Sequence, residues 1–389
     1  MVRGETGLRN HRVVFTRETT IGQMETDPEF NYFSDVIRSV SFTPDASVEA
    51  QRGLGSADPI DFVRGVENHT VEVTYDLQQW FSASGDPAYD GLARSNGYLP
   101  ATHLLWIRTE LPNTNVHLVG LGGHIGTVTL SGDPGSPQPI TVTLSYQFER
   151  VRLYAIDQPP SSTTLDVVST DSNDTMDITI EDEGASVSET LTLTGTTSVT
   201  STESFANIDA VQLASAPTGN ITISDGSGTN FVTIYGADEY EGIEGDLGTP
   251  VLGAGSLPAA AIGTAYEKFL GDTIERPSGT DLAYAINSAE LTVENNLELT
   301  PRMAGFAQSI DVGDRETQLS ATVFGPSDTY AKVIEYLRKQ KNNIIWTLSG
   351  GTLTLPNAAL VDPGTRSKEA GQAVMTLDNT FAGEGLTIS

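Results

Sequence analysis

Two stretches of this chain are versions of one another, and that limits the folds open to it more than any other feature. Residues 39–77 read SVSFTPDASVEAQRGLGSADPIDFVRGVENHTVEVTYDL, and residues 288–324 read SAELTVENNLELTPRMAGFAQSIDVGDRETQLSATVF. In each, an alternating strand (Val40 and Phe42; Ala289 and Leu291) leads through a polar turn to Val48-Glu49 or Leu297-Glu298. A glycine-containing loop follows. The return strand alternates again, Val71, Val73 and Tyr75 being answered by Leu319, Ala321 and Val323. Apolar residues at every second position put one face of a strand on a core, so each copy predicts a long two-stranded ribbon.

The likeness continues outside the ribbons. Residues 32–39 align with 281–288, and 88–108 with 329–349, which sets Tyr89 against Tyr330 and Leu104-Leu105-Trp106 against Ile344-Ile345-Trp346. Residues 141–148 (TVTLSYQF) pair with 374–381 (VMTLDNTF), Leu153 falls opposite Leu386, and 265–279 take the place of 11–22. The same elements in the same order twice mean a duplication, and the block between the copies is then an insert. A chain of 389 residues also exceeds the length at which one core stops growing. The expected domains are 1–156, 157–248 and 249–389. The expected fold class is mainly β: two similar β-sandwiches, each with a flanking helix, plus an inserted small β-sandwich.

The helices are short. Asp86-Pro87 is a start signal followed by Tyr89, Leu92 and Ala93 on one face. From Ser327, Tyr330, Val333, Ile334 and Leu337 fall at i, i+3, i+4 and i+7, with Arg338, Lys339 and Lys341 in the last turn, where the helix dipole favours cations. Residues 157–248 differ in character, with 17 acidic and no basic residues between linker-like Pro159-Pro160 and the glycine-rich 248–258. Their alternating runs TLDVVS, MDITIED, ETLTLTG, NIDAVQLAS, GNITISD and NFVTIYG predict the strands of the small sandwich.

Charge excludes some partners. The chain has 51 acidic against 21 basic residues, a net charge of −30. Such a surface repels nucleic-acid phosphates and anionic lipid headgroups, which argues against DNA wrapping and membrane docking. Acid excess with only five lysines suits concentrated salt, where self-repulsion is screened. The absence of cysteine excludes disulfides, thiolate metal sites and a cysteine nucleophile. The opening MVRGETGLRNHRVVF has no apolar core, so no signal peptide is expected, and the uncharged runs 111–132 (apart from His117 and His124) and 247–266 are too broken by Pro and Gly to span a bilayer.

Constellations that could carry chemistry are weak. His103, His117 and His124 lie close in sequence without HxH or HExxH spacing, and surface or loop histidines are expected. Asp171, Asn173, Asp174 and Asp177 lack the glycine and final glutamate of a calcium loop, and a solvated acidic turn is expected. GLGGHIG at 120–126 fits no phosphate-loop spacing and predicts a flexible hairpin loop. No GxSxG elbow occurs. The reading is therefore of a non-enzyme, with no catalytic, cofactor-binding or metal residue assigned and no cofactor.

The sequence of strand, E-N-N-L-E, glycine loop, D-R-E-T and alternating strand across residues 290–324 resembles the tail tube (major tail) proteins of long-tailed phages and archaeal viruses. The first copy departs from it, with Pro44-Asp45-Ala46 where the second has Val293-Glu294-Asn295. The resemblance implies tube domains that join edge to edge, six to a ring, with rings stacked into a hollow conduit for genome DNA. A chain with two such domains would close as a trimeric, pseudo-hexameric ring, with the loops at 51–66 and 300–314 reaching the next ring. It further implies tape measure and tail terminator or baseplate proteins as partners, and transient passage of double-stranded DNA without specific binding. Membrane contact is not implied, and the localisation is the virion tail, assembled in the host cytoplasm. The composition suits a haloarchaeal host, with the acidic insert as an outer decoration. Competing readings are a cell-surface or secreted adhesive β protein and a β-sandwich hydrolase.

Overall fold

The computed structural model describes residues 11–22, 30–34, 36–44, 46–51, 61–77, 87–94, 99–111, 113–133, 138–182, 184–215, 217–234, 273–275, 286–301, 308–324, 338–339, 341–348, 351–362, 366–367 and 376–389. The fold is mainly β. The first part supplies β1 (His11–Arg17), β2 (Ile37–Thr43), β3 (His69–Asp76), the helix α1 (Pro87–Leu92), β4 (His103–Glu110), β5 (Thr114–Gly132), β6 (Thr141–Phe148) and β7 (Arg150–Asp157). The last part supplies β8 (Thr273–Glu275), β9 (Ile286–Glu294), β10 (Glu316–Phe324), β11 (Lys341–Leu348), β12 (Gly351–Asp362), β13 (Arg366–Ser367), β14 (Thr376–Gly383) and β15 (Thr387–Ile388). These strands belong to one large antiparallel sheet system.

The two parts pair their strands in matching registers. β2 lies on β3 with a bulge between Ile37 and Ser39, and β9 lies on β10 with a bulge between Ile286 and Ser288, the positions that the sequence sets opposite each other. Val13 of β1 faces Ile107 of β4 as Ile274 of β8 faces Trp346 of β11, all four in one core, whereas Val14 and Trp106 face the opposite side. The alignment of the Trp strands is therefore corrected by one residue, and Ile107, not Trp106, takes the place of Trp346. β5 joins β4 to β6 with a bulge between Ile125 and Thr127, and β12 joins β11 to β14 with one between Leu360 and Asp362. Tyr146 stands beside Val71 as Phe381 stands beside Leu319. The 141–148 alignment is therefore corrected by two residues: Tyr146, not Phe148, takes the place of Phe381. Leu153 and Leu386 are not counterparts either, because Leu118 faces Leu153 while Leu353 faces Ile388.

β5 is the strand around which the first part turns. Its 115–121 stretch pairs with β4 and β7, and its 124–131 stretch with β6, so one strand serves two sheets. The glycine cluster allows the crossing. A Cβ at Gly120 or Gly123 would lie 2.5 Å from the Phe148 ring, and Gly122 adopts φ 63°. GLGGHIG is thus the buried bend of a strand, not a hairpin loop. Val71, Val73, Tyr75, Val128, Leu144, Leu291, Leu319, Trp346 and Phe381 lie in one apolar core that spans both parts.

The six alternating runs of the middle segment each hold a strand. Leu165–Ser169, Val199–Thr200, Ile221–Asp225 and Asn230–Ile234 make one sheet, and Asp177–Asp182, Val187–Thr192 and Ala210–Leu213 another. Both feed a second apolar cluster that includes Phe205 and Ile208 and takes in Ile156 from the end of β7. Of the helix expected from Ser327, only helical Arg338 and Lys339, at φ 50°, lie within the described residues. Lys341 already begins β11.

Candidate functional site: the joint between the two copies

The C-terminal stretch of β5 has β6 on one side and β9 on the other. Thr127 faces Glu294 and Gly132 faces Ala289, so a strand of the second copy continues the sheet of the first. The resulting order is β2-β3-β6-β5-β9-β10-β14-β12. Below this seam the second copy's ribbon base (Leu297–Pro301 with Gln308–Val312) is pinned to the first copy. Fully buried Asn295 donates its backbone N–H to Gly126 O (2.7 Å) and its side-chain amide to Gly91 O (3.0 Å) and Ile125 O (2.9 Å). Arg315 donates to the last carbonyls of α1, Gly91 O at 3.1 Å and Leu92 O. Arg94, just past that helix, donates back to Gly313 O at 2.8 Å. Helix-end carbonyls have no partner within the helix, and a guanidinium satisfies them while complementing the dipole. Burial and then neighbouring Arg94 pull the Arg315 guanidinium down to about 10, which still leaves it charged at neutral pH.

One face of this joined sheet is core. The other carries rows of short polar side chains that cross the seam unbroken, such as Ser39-Thr74-Thr143-Thr129-Thr292-Gln318 and Ser41-Glu72-Ser145-Thr127-Glu294-Glu316. Neither row holds a lysine or arginine. Arg38, at the margin of this face, is tied to Asp76.

A buried polar knot lies behind β5. Asp90 is fully buried and accepts both nitrogens of a bidentate Arg17 (2.7 and 2.6 Å), with His103 Nε2 at 2.9 Å. Glu18 accepts from Gly122 N and Thr102 Oγ1, each at 2.7 Å, yet burial lifts its carboxyl from 4.5 to about 7, helped by Glu149. His117 takes the Trp106 indole N–H on Nδ1 at 3.2 Å, and burial followed by the charge of Arg108 lowers it to about 3. His124 is also lowered by burial, while its Nδ1 donates to Gly122 O.

The sequence's candidate residues fall elsewhere than expected. His103, His117 and His124 are buried on strands, not at the surface or in loops. Asp174 is buried and accepts from Ser169 Oγ, Thr218 N (2.8 Å) and Gly219 N (3.0 Å), so the acidic turn is a hydrogen-bonded staple whose carboxyl sits below its ordinary value through those bonds, against the opposing effect of burial. Asp182 does the same for Ala185, Ala206 and Asn207. Among the described residues no three His, Asp or Glu side chains are grouped to hold a metal ion. The loop tips at 52–60 and 302–307 lie outside the described residues. Asn295 and Arg315, the pins of the joint, lie in the E-N-N-L-E and D-R-E-T motifs, but no spacing rule marks them as such. Compared with known proteins, the chain matches no family model and no curated relative.

Proposed function

We propose that this protein is a virion structural protein that forms rings stacked into a hollow viral tail tube, the conduit for genome DNA. The observation that carries the reading is the β5–β9 seam. It joins two copies of one unit in the same orientation and, among the described residues, leaves β2 without a neighbour at one end and the β12–β13 edge without one at the other. β2 is the counterpart of β9, and the β12–β13 edge is the counterpart of the β5 edge that β9 covers. Repeating the same step between chains therefore pairs these two edges with one another once a ring closes, and left open they would invite uncontrolled association. Two units per chain make three chains the ring, a trimer with six units.

The polar face of the joined sheet is the lumen. DNA carries one charge per roughly 1.7 Å of axis, and a surface of hydroxyls and carboxylates gives it nothing to adhere to. The middle segment leaves through β7, which pairs with the 114–121 stretch of β5 on the edge opposite β4 and so belongs to the layer away from that face. It is an outer decoration in this arrangement. Tape measure, terminator or baseplate proteins are the expected neighbours at the tube ends, with assembly in the host cytoplasm.

Negative-stain imaging of the purified chain in multimolar KCl tests this. Rings or tubes with an open centre, and labelling along virion tails by antibodies against residues 165–234, are the expected results. Surface labelling of intact host cells with unlabelled virions would favour an adhesive role instead.

A further inference from the structure

We infer that copies of this chain join end to end through an apolar contact between Val361 of one copy and position 48 of the next, a joint shaped so that it cannot be exchanged for the one inside the chain. The inference rests on the ring reading above and says which surfaces make the ring.

Matched bulges supply the map. The residue skipped between Ile125 and Thr127 is Gly126, and the residue skipped between Leu360 and Asp362 is Val361, so Val361 stands where Gly126 stands in the first copy. The bulges at Ser39 and Ser288 likewise set Ala46 where the second copy has Asn295, and Val48 where it has Leu297. The return strands, with Tyr75 on Ile37 and Val323 on Ile286, set Glu67 where it has Arg315.

Within the chain, Gly126 meets Leu297: a Cβ added at Gly126 would already lie 3.4 Å from Leu297 Cδ1. Between chains the sizes are redistributed, with valine for glycine on one side and valine for leucine on the other. A wrong pairing of Val361 with Leu297 is overfilled, and one of Gly126 with Val48 leaves a gap; both are penalised in a packed interface. The ring must then alternate first and second copies. Two further observations point to this edge as an interface. Val361 is 45% exposed, one of few large apolar side chains so placed among the described residues. Val40 and Phe42 on β2 are half-buried, whereas their counterparts Ala289 and Leu291, covered by β5, are buried. The hydrogen-bonding pins are not repeated, because alanine and glutamate replace Asn295 and Arg315. The joint within the chain is therefore the stronger, and the chain adds to a ring as a preassembled pair.

The test is association of full-length variants, followed by light scattering against concentration in multimolar KCl, with circular dichroism melting as the control for folding. Val361→Asp should weaken association by about 100-fold through a desolvated charge and leave melting unchanged, since the side chain is exposed in the lone chain. Val48→Leu alone should weaken it by about tenfold through overpacking. Val48→Leu with Val361→Gly, which copies the internal pair, should restore it. Ala46→Asn, which supplies the missing pin, should tighten it. Assembly of the wild type that survives Val361→Asp unchanged overturns the joint while leaving the ring standing. A wild type that stays monomeric at every concentration overturns the ring and the joint together.

Discussion

At the scale of single residues, two buried ionisable groups work against each other. Glu18 in the native chain holds a proton up to about pH 7, whereas the unfolded chain releases it near 4.5. Its contribution to stability is therefore present at low pH and lost as pH rises between those values. His117 has the opposite sign. The native ring stays neutral down to about pH 3, the unfolded ring takes a proton below 6.5, and stability is lost as pH falls through that interval. Between roughly pH 4.5 and 6.5 the two effects offset one another. Glu18→Gln removes one of them, so relative to wild type the variant should lose about 2 kcal/mol more on going from pH 8 to pH 5. Denaturant melts at both pH values measure this, and a constant difference would mean that Glu18 keeps its ordinary pKa. Packing is as specific as charge here. Gly120→Ala drives a methyl into the Phe148 ring and should cost about 2–3 kcal/mol. Phe148→Leu in the same chain should recover part of that cost, and purely additive losses would show that the two residues do not meet.

At the scale of elements, alternation carried most of the information. It marked the ribbons and all six runs of the middle segment, because a half-buried strand must show its pattern at every second residue. The same periodicity explains the misplaced 141–148 alignment: a slip of two residues keeps every side chain on its own face, and pattern cannot detect it. Only the pairing of Val71 with Tyr146 and of Leu319 with Phe381 fixes that register. The glycine cluster misled for a different reason. Glycine marks both loops and close approaches, and what decides between them at 120–126 is a ring more than twenty residues away in sequence, that of Phe148. The histidines were hidden likewise, since Trp106 and Asp90 bury and bond them from other elements. The joint itself was half legible, as a repeated motif whose contacts were not. Asn295→Ala should strand two buried carbonyls and cost about 2 kcal/mol. Hydrogen exchange should then rise in β9 and α1 together; a rise confined to β9 would mean that the helix is held independently.

At the scale of the whole molecule, the net charge of −30 acquires a place. It sits on the middle segment and, in part, on the polar face of the joined sheet, where it would repel DNA rather than bind it. The organising feature is the seam by which one copy extends the sheet of the other. The central claim is that the same seam recurs between chains and closes after three. Mass in solution, by light scattering in concentrated KCl, tests it most directly. The account predicts the mass of three 41.4 kDa chains, or multiples of it as rings stack. A single-chain mass that holds at every concentration would contradict it.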